Sequence, residues 1–239
     1  MRVYENIGGA TITNNLSAYA TSIPEEAIEK VKAKQAGGAR KRAEYYLGGE
    51  RVGERSFDLT GELEYEYAFR NGVKQGWQYR WDSPGELLSA QPYENGLPHG
   101  VASQWGRDGR LIGSYEMAHG TGIDIWFQDW EDGQVDLHEV YYEKGGVQHG
   151  YEWHFREKRR LSEEKHWQDG KLHGIERGWN FKGGMGRSYP TYWVSGERLS
   201  KAKYLKACKI DPALPVYDVR DDQPYRTFPE EIEKYLPKE

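Results

Sequence analysis

Between Trp77 and Trp179 apolar and polar positions alternate with a period of two, in short bursts broken by glycine. One parity carries Trp77, Tyr79, Trp81; Val101, Ser103, Trp105; Ile123, Ile125, Phe127; Tyr151, Trp153, Phe155; Ile175, Arg177, Trp179. The other carries Gln78, Arg80; Ala102, Gln104; Asp124, Trp126; Glu152, His154; Glu176, Gly178. Successive strand side chains point to opposite faces, so each burst predicts a strand with one aromatic and one mostly polar face. A second column, Tyr46, Phe69, Tyr93, Met117, Trp167 and Trp193, lies three residues before a recurrent glycine, with Tyr142 in its place in the fifth unit. Leu63, Leu87, Leu111 and Leu161 begin these returning segments, with Val135 in the fifth. Their even spacing, Val135 apart, predicts that they share the column's face.

Gly49, Gly72, Gly96, Gly120, Gly146, Gly170 and Gly196 are separated by 23, 24, 24, 26, 24 and 26 residues. A fixed period of this size marks a repeat architecture. Six of the seven follow a turn-forming residue (Gly48, Asn71, Asn95, Gly145, Asp169, Ser195), and Gly120 follows His119. A second glycine follows at Gly53, Gly76, Gly100, Gly122, Gly150 and Gly174, and a third at Gly61, Gly85, Gly109, Gly133 and Gly183. Two turns per period leave segments of about seven residues, which is strand length. The expected fold is mainly β, an elongated ribbon of antiparallel hairpins in about seven units, with flanking helices as caps. Each unit would advance roughly 10 Å, and the array would run on the order of 65 Å, at normal strand spacing.

The period runs from about Tyr45 to Leu199, giving an N-terminal flank (1–43), a repeat array (44–199) and a C-terminal capping segment (200–239). Residues 1–22 are ambiguous, with a possible turn at Ile7-Gly8-Gly9. Ser22-Ile23-Pro24-Glu25-Glu26 reads as a capped helix start, continued by Ala27, Ile28, Val31 and Gln35 and ended by Gly37-Gly38. Further short helices are expected at Ser200–Cys208 and from Phe228-Pro229 through Ile232.

The net charge of −5 gives no reason to expect nucleic acid. A mean hydropathy of −0.93 would suit a disordered chain, but 14% aromatics and 29 glycines in register point to a thin ordered sheet. Cys208 is the only cysteine, which excludes a disulfide framework. No apolar run is long enough for a membrane span and no signal peptide is evident, so a cytoplasmic location is expected. His99, His149 and His173 recur in phase, with His119 nearly so. Equivalent positions would lie about 10 Å apart, too far to share one ion, so turn histidines bonded to local backbone are expected rather than a metal site. No Gly-x-Ser-x-Gly elbow or phosphate loop is present, and nothing specifies an enzyme or a cofactor.

The units Tyr93-Glu-Asn95-Gly96-Leu-Pro-His99-Gly100 with Trp105 and Asp108-Gly109, and Trp167-Gln-Asp169-Gly170-Lys-Leu-His173-Gly174 with Trp179, resemble MORN repeats. They are similar to the bacterial variant form, some members of which are antitoxin-like or partner toxins. The first unit lacks the aromatic after its second glycine, the fourth has a shortened His119-Gly120-Thr121-Gly122 turn, and the fifth replaces its third glycine with Arg156-Glu157-Lys158-Arg159-Arg160. The resemblance implies a non-catalytic protein-binding module, with a toxin as the concrete partner. An aromatic stripe without a lid would be an interaction patch. The candidate partner-binding residues are therefore Trp81, Trp105, Phe127, Phe155 and Trp179, with Tyr93, Trp167, Arg156, Arg159 and Arg160. A scaffold meeting anionic lipid through its basic clusters (Lys30, Lys32, Lys34, Arg40, Lys41, Arg42; Arg156–Arg160) and a self-assembling spacer remain the alternatives.

Overall fold

The computed structural model describes residues 21–34, 40–82, 85–156 and 158–237. The ambiguous 1–20 segment, the Gly37-Gly38 stop and Glu157 lie outside these residues. The protein is mainly β and antiparallel, and it divides into unit 1 (Met1–Gly120) and unit 2 (Thr121–Glu239). Unit 1 holds β1 (Ile28–Lys34), β2 (Arg40–Leu47), β3 (Glu50–Phe57), β4 (Leu63–Arg70), β5 (Val73–Trp81), β6 (Leu87–Glu94), β7 (Leu97–Pro98), β8 (Gly100–Trp105) and β9 (Leu111–Ala118). Unit 2 holds β10 (Thr121–Asp129), β11 (Val135–Lys144), β12 (Val147–Phe155), β13 (Leu161–Gln168), β14 (Lys171–Leu172), β15 (Gly174–Gly178), β16 (Thr191–Val194) and β17 (Glu197–Leu199), then helices α1 (Lys201–Ala207) and α2 (Glu230–Glu233). Within each unit consecutive strands pair as a meander, the two-residue β7 and β14 continuing into β8 and β15.

The glycine period is a turn period. At each of the seven beats both central residues have positive φ, from Gly48 (+59°) and Gly49 (+90°) to Ser195 (+50°) and Gly196 (+85°). Positive φ at both positions defines the hairpin turn whose twist matches that of strands. His119 carries φ +48° without being glycine, asparagine or aspartate. At the opposite hairpin ends Gly61, Gly109 and Gly133 donate to Asp58, Gly106 and Trp130 at 3.1, 2.8 and 2.9 Å. In the fifth unit, where no glycine stands, Lys158 takes φ +62°.

A register shift accompanies these tips and corrects the expected faces. Trp81 pairs with Leu87, but Arg80 already pairs with Ser89, so Leu88 is bulged out. Leu87 therefore joins Tyr79, Trp81, Ala90 and Trp105 in a buried cluster, whereas Tyr93 lies on the opposite, polar face with Gln91 and Ser89. The shift recurs at Phe57/Leu63 and Phe155/Leu161. Even spacing fails because one unpaired residue flips the parity of everything after it.

The N-terminal helix does not form. Ile28–Lys34 is a strand paired along β2, at an edge among the described residues. Its lysines alternate onto the polar face, Lys30 over the Tyr46 ring at 4.2 Å and Lys32 3.2 Å from Glu44. The expected capping serine does other work: Ser22 Oγ accepts the Trp77 N–H at 2.9 Å. A local capping signal is weak against an open strand edge that can satisfy backbone groups along most of a strand. At the other end both expected helices are present. Ser200 caps α1, accepting from the Lys203 N–H at 3.4 Å, and Pro229 opens α2.

Candidate functional site

Flanking segments pack on part of the aromatic face in unit 1 and on much of it in unit 2. In unit 1, Ile23 packs on Ala43 and Tyr45 and fills the space a Cβ at Gly53 would need. In unit 2 the C-terminal segment does the same. Phe228 meets Trp153 and Phe155 edge-on at 5.2 and 5.1 Å, and Tyr235 meets Phe127 at 5.6 Å. The Trp179 indole donates to the Asp222 carbonyl at 2.8 Å, and the Leu161 N–H to the Pro224 carbonyl at 2.9 Å.

The candidate aromatic row is therefore corrected. Trp81, Trp105, Phe155 and Trp179 are 2, 3, 0 and 4% exposed, so they are core and offer no open stripe. Removing Trp105 and Trp179 would cost core packing of about 3–5 kcal/mol each, so loss of binding would report loss of fold. Phe127 is half-buried under Tyr235, and Tyr93 and Trp167 are half-buried on the polar face. The arginines of the fifth tip are also engaged. Arg156 lies over the Phe181 ring at 4.0 Å. Arg159 Nη2 reaches both oxygens of Glu233 at 2.7 and 2.8 Å. Arg160 donates to the Phe181 carbonyl at 2.8 Å. They tie the tip to α2 and to the neighbouring hairpin.

Two buried glutamates mark where the covers attach. Glu66, 1% exposed, accepts from Thr21 Oγ1 at 2.6 Å and from Arg55 Nε at 2.8 Å. Glu164, also 1% exposed, accepts from the Trp153 indole at 2.8 Å and pairs with Arg177 at 2.6 Å and Arg226 at 2.9 Å. Both stand six residues before a beat glycine, where Ala43, Ala90 and Val140 occupy the equivalent buried positions. No apolar pattern reveals them, because a glutamate there reads as a solvated residue.

The recurrent histidines are clasps between successive repeats. The residue before the second glycine accepts the N–H of the first central residue of the next turn. Gln75 accepts from Asn95 at 2.9 Å, His99 from His119 at 3.2 Å, Thr121 from Gly145 at 3.0 Å and His173 from Ser195 at 3.1 Å. His149 lies 3.4 Å from the Asp169 N–H, with the Asp169 carboxylate 3.2 Å from the same nitrogen. In four of the five turns the glycine beside the turn residue adds a backbone bond, Gly96, Gly120, Gly170 and Gly196 donating to Lys74, Pro98, Gln148 and Leu172. The backbone bonded is the next turn, about one repeat away, not the local backbone expected.

The clasp also brings two histidines together, which the spacing argument missed because His119 is a turn residue drawn onto its neighbour. The His99 and His119 rings stack at 4.0 Å, with Glu94 3.6 Å from His99 Nε2 and 4.0 Å from His119 Nδ1. These three ligand types fit a divalent metal in kind. The hydrogen bond opposes it. His99 Nδ1 accepts a backbone N–H, so Nε2 carries the ring proton and cannot ligate while the clasp holds. A second group, Glu152, His154 and Glu163, is filled by Lys165, whose ammonium lies 3.0 Å from both carboxylates.

The polar faces of the two units differ in how their cations are partnered. In unit 2, Glu152 accepts from His154 at 2.8 Å, Lys165 at 3.0 Å, Gln148 at 3.0 Å and the Trp167 indole at 2.8 Å. Glu139, then Glu152, raise His154 to about 9 against the opposing effect of burial, so it is a cation at neutral pH. The His154 hydrogen bond in turn holds Glu139 at about 2. In unit 1, Lys32, Arg42 and Arg51 share Glu44 or Glu54. Further along the same face the pairing is with rings. Arg51 lies over Phe69 at 4.0 Å, Lys74 between Tyr67 and Tyr93 at 4.8 and 4.7 Å, and Arg80 over Tyr65 at 5.7 Å. Tyr65 and Tyr67 are themselves stacked at 5.9 Å. Phe69 also walls an open depression of about 460 Å³ beside Ser22 and Gln75.

No known protein family matches the chain, and no curated protein does. No helix among the described residues is long and apolar enough to cross a membrane.

Proposed function

We propose that the chain is a MORN-type, non-catalytic protein-binding module that works in the cytoplasm and grips its partner with the polar face of unit 1. The observation that carries this reading is the run of half-buried rings (Tyr65, Tyr67, Tyr93) with Lys74 and Arg80 laid over them. Tyrosine and arginine dominate binding hot spots, because they present large, amphipathic contact area at low conformational cost. In unit 2 the C-terminal segment occupies the aromatic face, and in unit 1 Trp81 and Trp105 are buried, which leaves the polar face as the one that can accept a partner. The antitoxin-like form of this reading, in which the module occludes a toxin by direct contact, rests on the resemblance to MORN variants.

The test is affinity purification of the tagged full chain from its native cell, with Tyr67→Ala plus Tyr93→Ala as the variant and Trp105→Ala as a fold-damaging control. The double variant should lose a stoichiometric protein while melting within a few degrees of wild type. Undiminished retention by a folded double variant contradicts the reading.

A further inference from the structure

On the reading above, the unit 1 face is specific in what it accepts. Lys74 is half-buried between two tyrosine rings, and burial holds its ammonium below its ordinary pKa. Among the described residues no carboxylate forms an ion pair with Lys74 or with Arg80. This departs from the neighbouring cations, since Lys32, Arg42 and Arg51 all lie within 3.2 Å of Glu44 or Glu54. An ammonium withdrawn from water without an anion bears a desolvation cost that rings offset only in part. Both cations stand on β5 on the same face, six residues apart. A register shift between them sets Lys74 opposite Phe69 and Arg80 opposite Tyr65, four residues apart on β4, so at strand rise they lie roughly 13 Å apart, the reach of an extended segment of about four residues.

We propose that this face binds a short acidic segment of a partner protein in extended form, one carboxylate meeting Lys74 between Tyr67 and Tyr93 and another meeting Arg80 near its far end. The remaining contacts are apolar and aromatic packing on Tyr65 and Phe69. The chain carries −5 overall, so long-range steering does not draw acidic partners and the attraction is local. The same charge argues for a protein segment over a nucleic acid strand, which also stacks on rings. A phosphate backbone would need a continuous basic track, whereas Glu44 and Glu54 interrupt this face and Glu94 follows Tyr93 at the end of β6.

A random dodecapeptide library displayed on phage is panned against the immobilised full chain, with a single-stranded oligonucleotide as a parallel probe. The expected result is enrichment of peptides bearing Asp or Glu with a spaced second acid. The best of them should bind Lys74→Met at least about tenfold more weakly than wild type, the scale of a desolvated charge contact. Lys74→Arg should restore most of the loss, and affinity should fall with added salt. Peptides without acidic residues, indifference to Lys74→Met in a folded variant, absence of any enrichment, or Lys74-dependent binding of the oligonucleotide in place of peptide would each overturn the inference. Retention of a folded native partner lost on Tyr67→Ala plus Tyr93→Ala, alongside such a failure, would leave the protein-binding reading standing without the acidic segment.

Discussion

The two units use one hairpin turn, one bulge and one strand pattern, yet part of unit 1's polar face pairs its cations with rings where unit 2 pairs them with carboxylates. In unit 2 the cations His154 and Lys165 sit among Glu139, Glu152 and Glu163. In unit 1 Lys74 and Arg80 sit on rings. A face whose charges are already matched gains little from a partner, because any new ion pair must replace one that exists. Lys74, half-buried on rings and in no ion pair with a described carboxylate, retains an unmet demand for an anion, while Arg80 is exposed and open to a partner. On the proposed reading, near-identical scaffolding separates a stabilising surface from an interaction surface through a few side chains.

The buried pairs give the largest contrast. Arg177→Met should destabilise by about 3–5 kcal/mol, since buried Glu164 then keeps only Arg226 and the Trp153 indole. Arg55→Met should cost less, roughly 1–3 kcal/mol, because the Arg55 side chain is 27% exposed and water can reach Glu66 more readily in its absence. Urea unfolding of both variants measures the difference, and equal losses would remove the distinction between the two covers.

The clasps predict a smaller split. His173, 3% exposed, should lose about 1–3 kcal/mol as His173→Ala, whereas half-buried His99, its side chain 39% exposed, should lose under about 1 kcal/mol as His99→Ala. His99→Gln should be close to neutral, because Gln75 already makes the same bond. A divalent metal that raised the melting temperature of wild type but not of His99→Gln would show that the tautomer argument fails.

Next comes pH. The folded His154 value of about 9 exceeds its ordinary 6.5, so its stabilisation is complete below about 6.5 and is lost as pH rises through 9. Glu139 is depressed from 4.5 to about 2, so its stabilisation holds above about 4.5 and is lost as pH falls towards 2. The unit 2 network should therefore support folding best between about 4.5 and 6.5. His154→Gln should flatten the alkaline limb of stability against pH, and an unchanged limb would dissociate His154 from the network.

Much of this was legible in the sequence where the signal is backbone chemistry. Asn71-Gly72, Asn95-Gly96 and Asp169-Gly170 announce positive φ at consecutive residues, and the hairpins follow. What the sequence hid depends on partners distant along the chain. Leu87 reads as sharing Tyr93's face until Leu88 bulges. Ser22 reads as a helix cap until the Trp77 N–H is seen 2.9 Å away. The aromatic row reads as open until Phe228 and Tyr235, some 70 to 110 residues later in the chain, are laid over Phe155, Trp153 and Phe127. Lys74 carries no sequence mark, because its peculiarity is that no carboxylate among the described residues forms an ion pair with it.

The most direct measurement sets Lys74→Met beside Lys165→Met, each scored for melting temperature and for affinity towards the acidic peptide selected on wild type. Lys74→Met should keep its stability within about 0.5 kcal/mol and lose binding. Lys165→Met should lose roughly 1 kcal/mol of stability, as a partly shielded ion pair does, and bind as wild type. The reverse assignment, with Lys165 carrying the affinity and Lys74 the stability, would contradict the account.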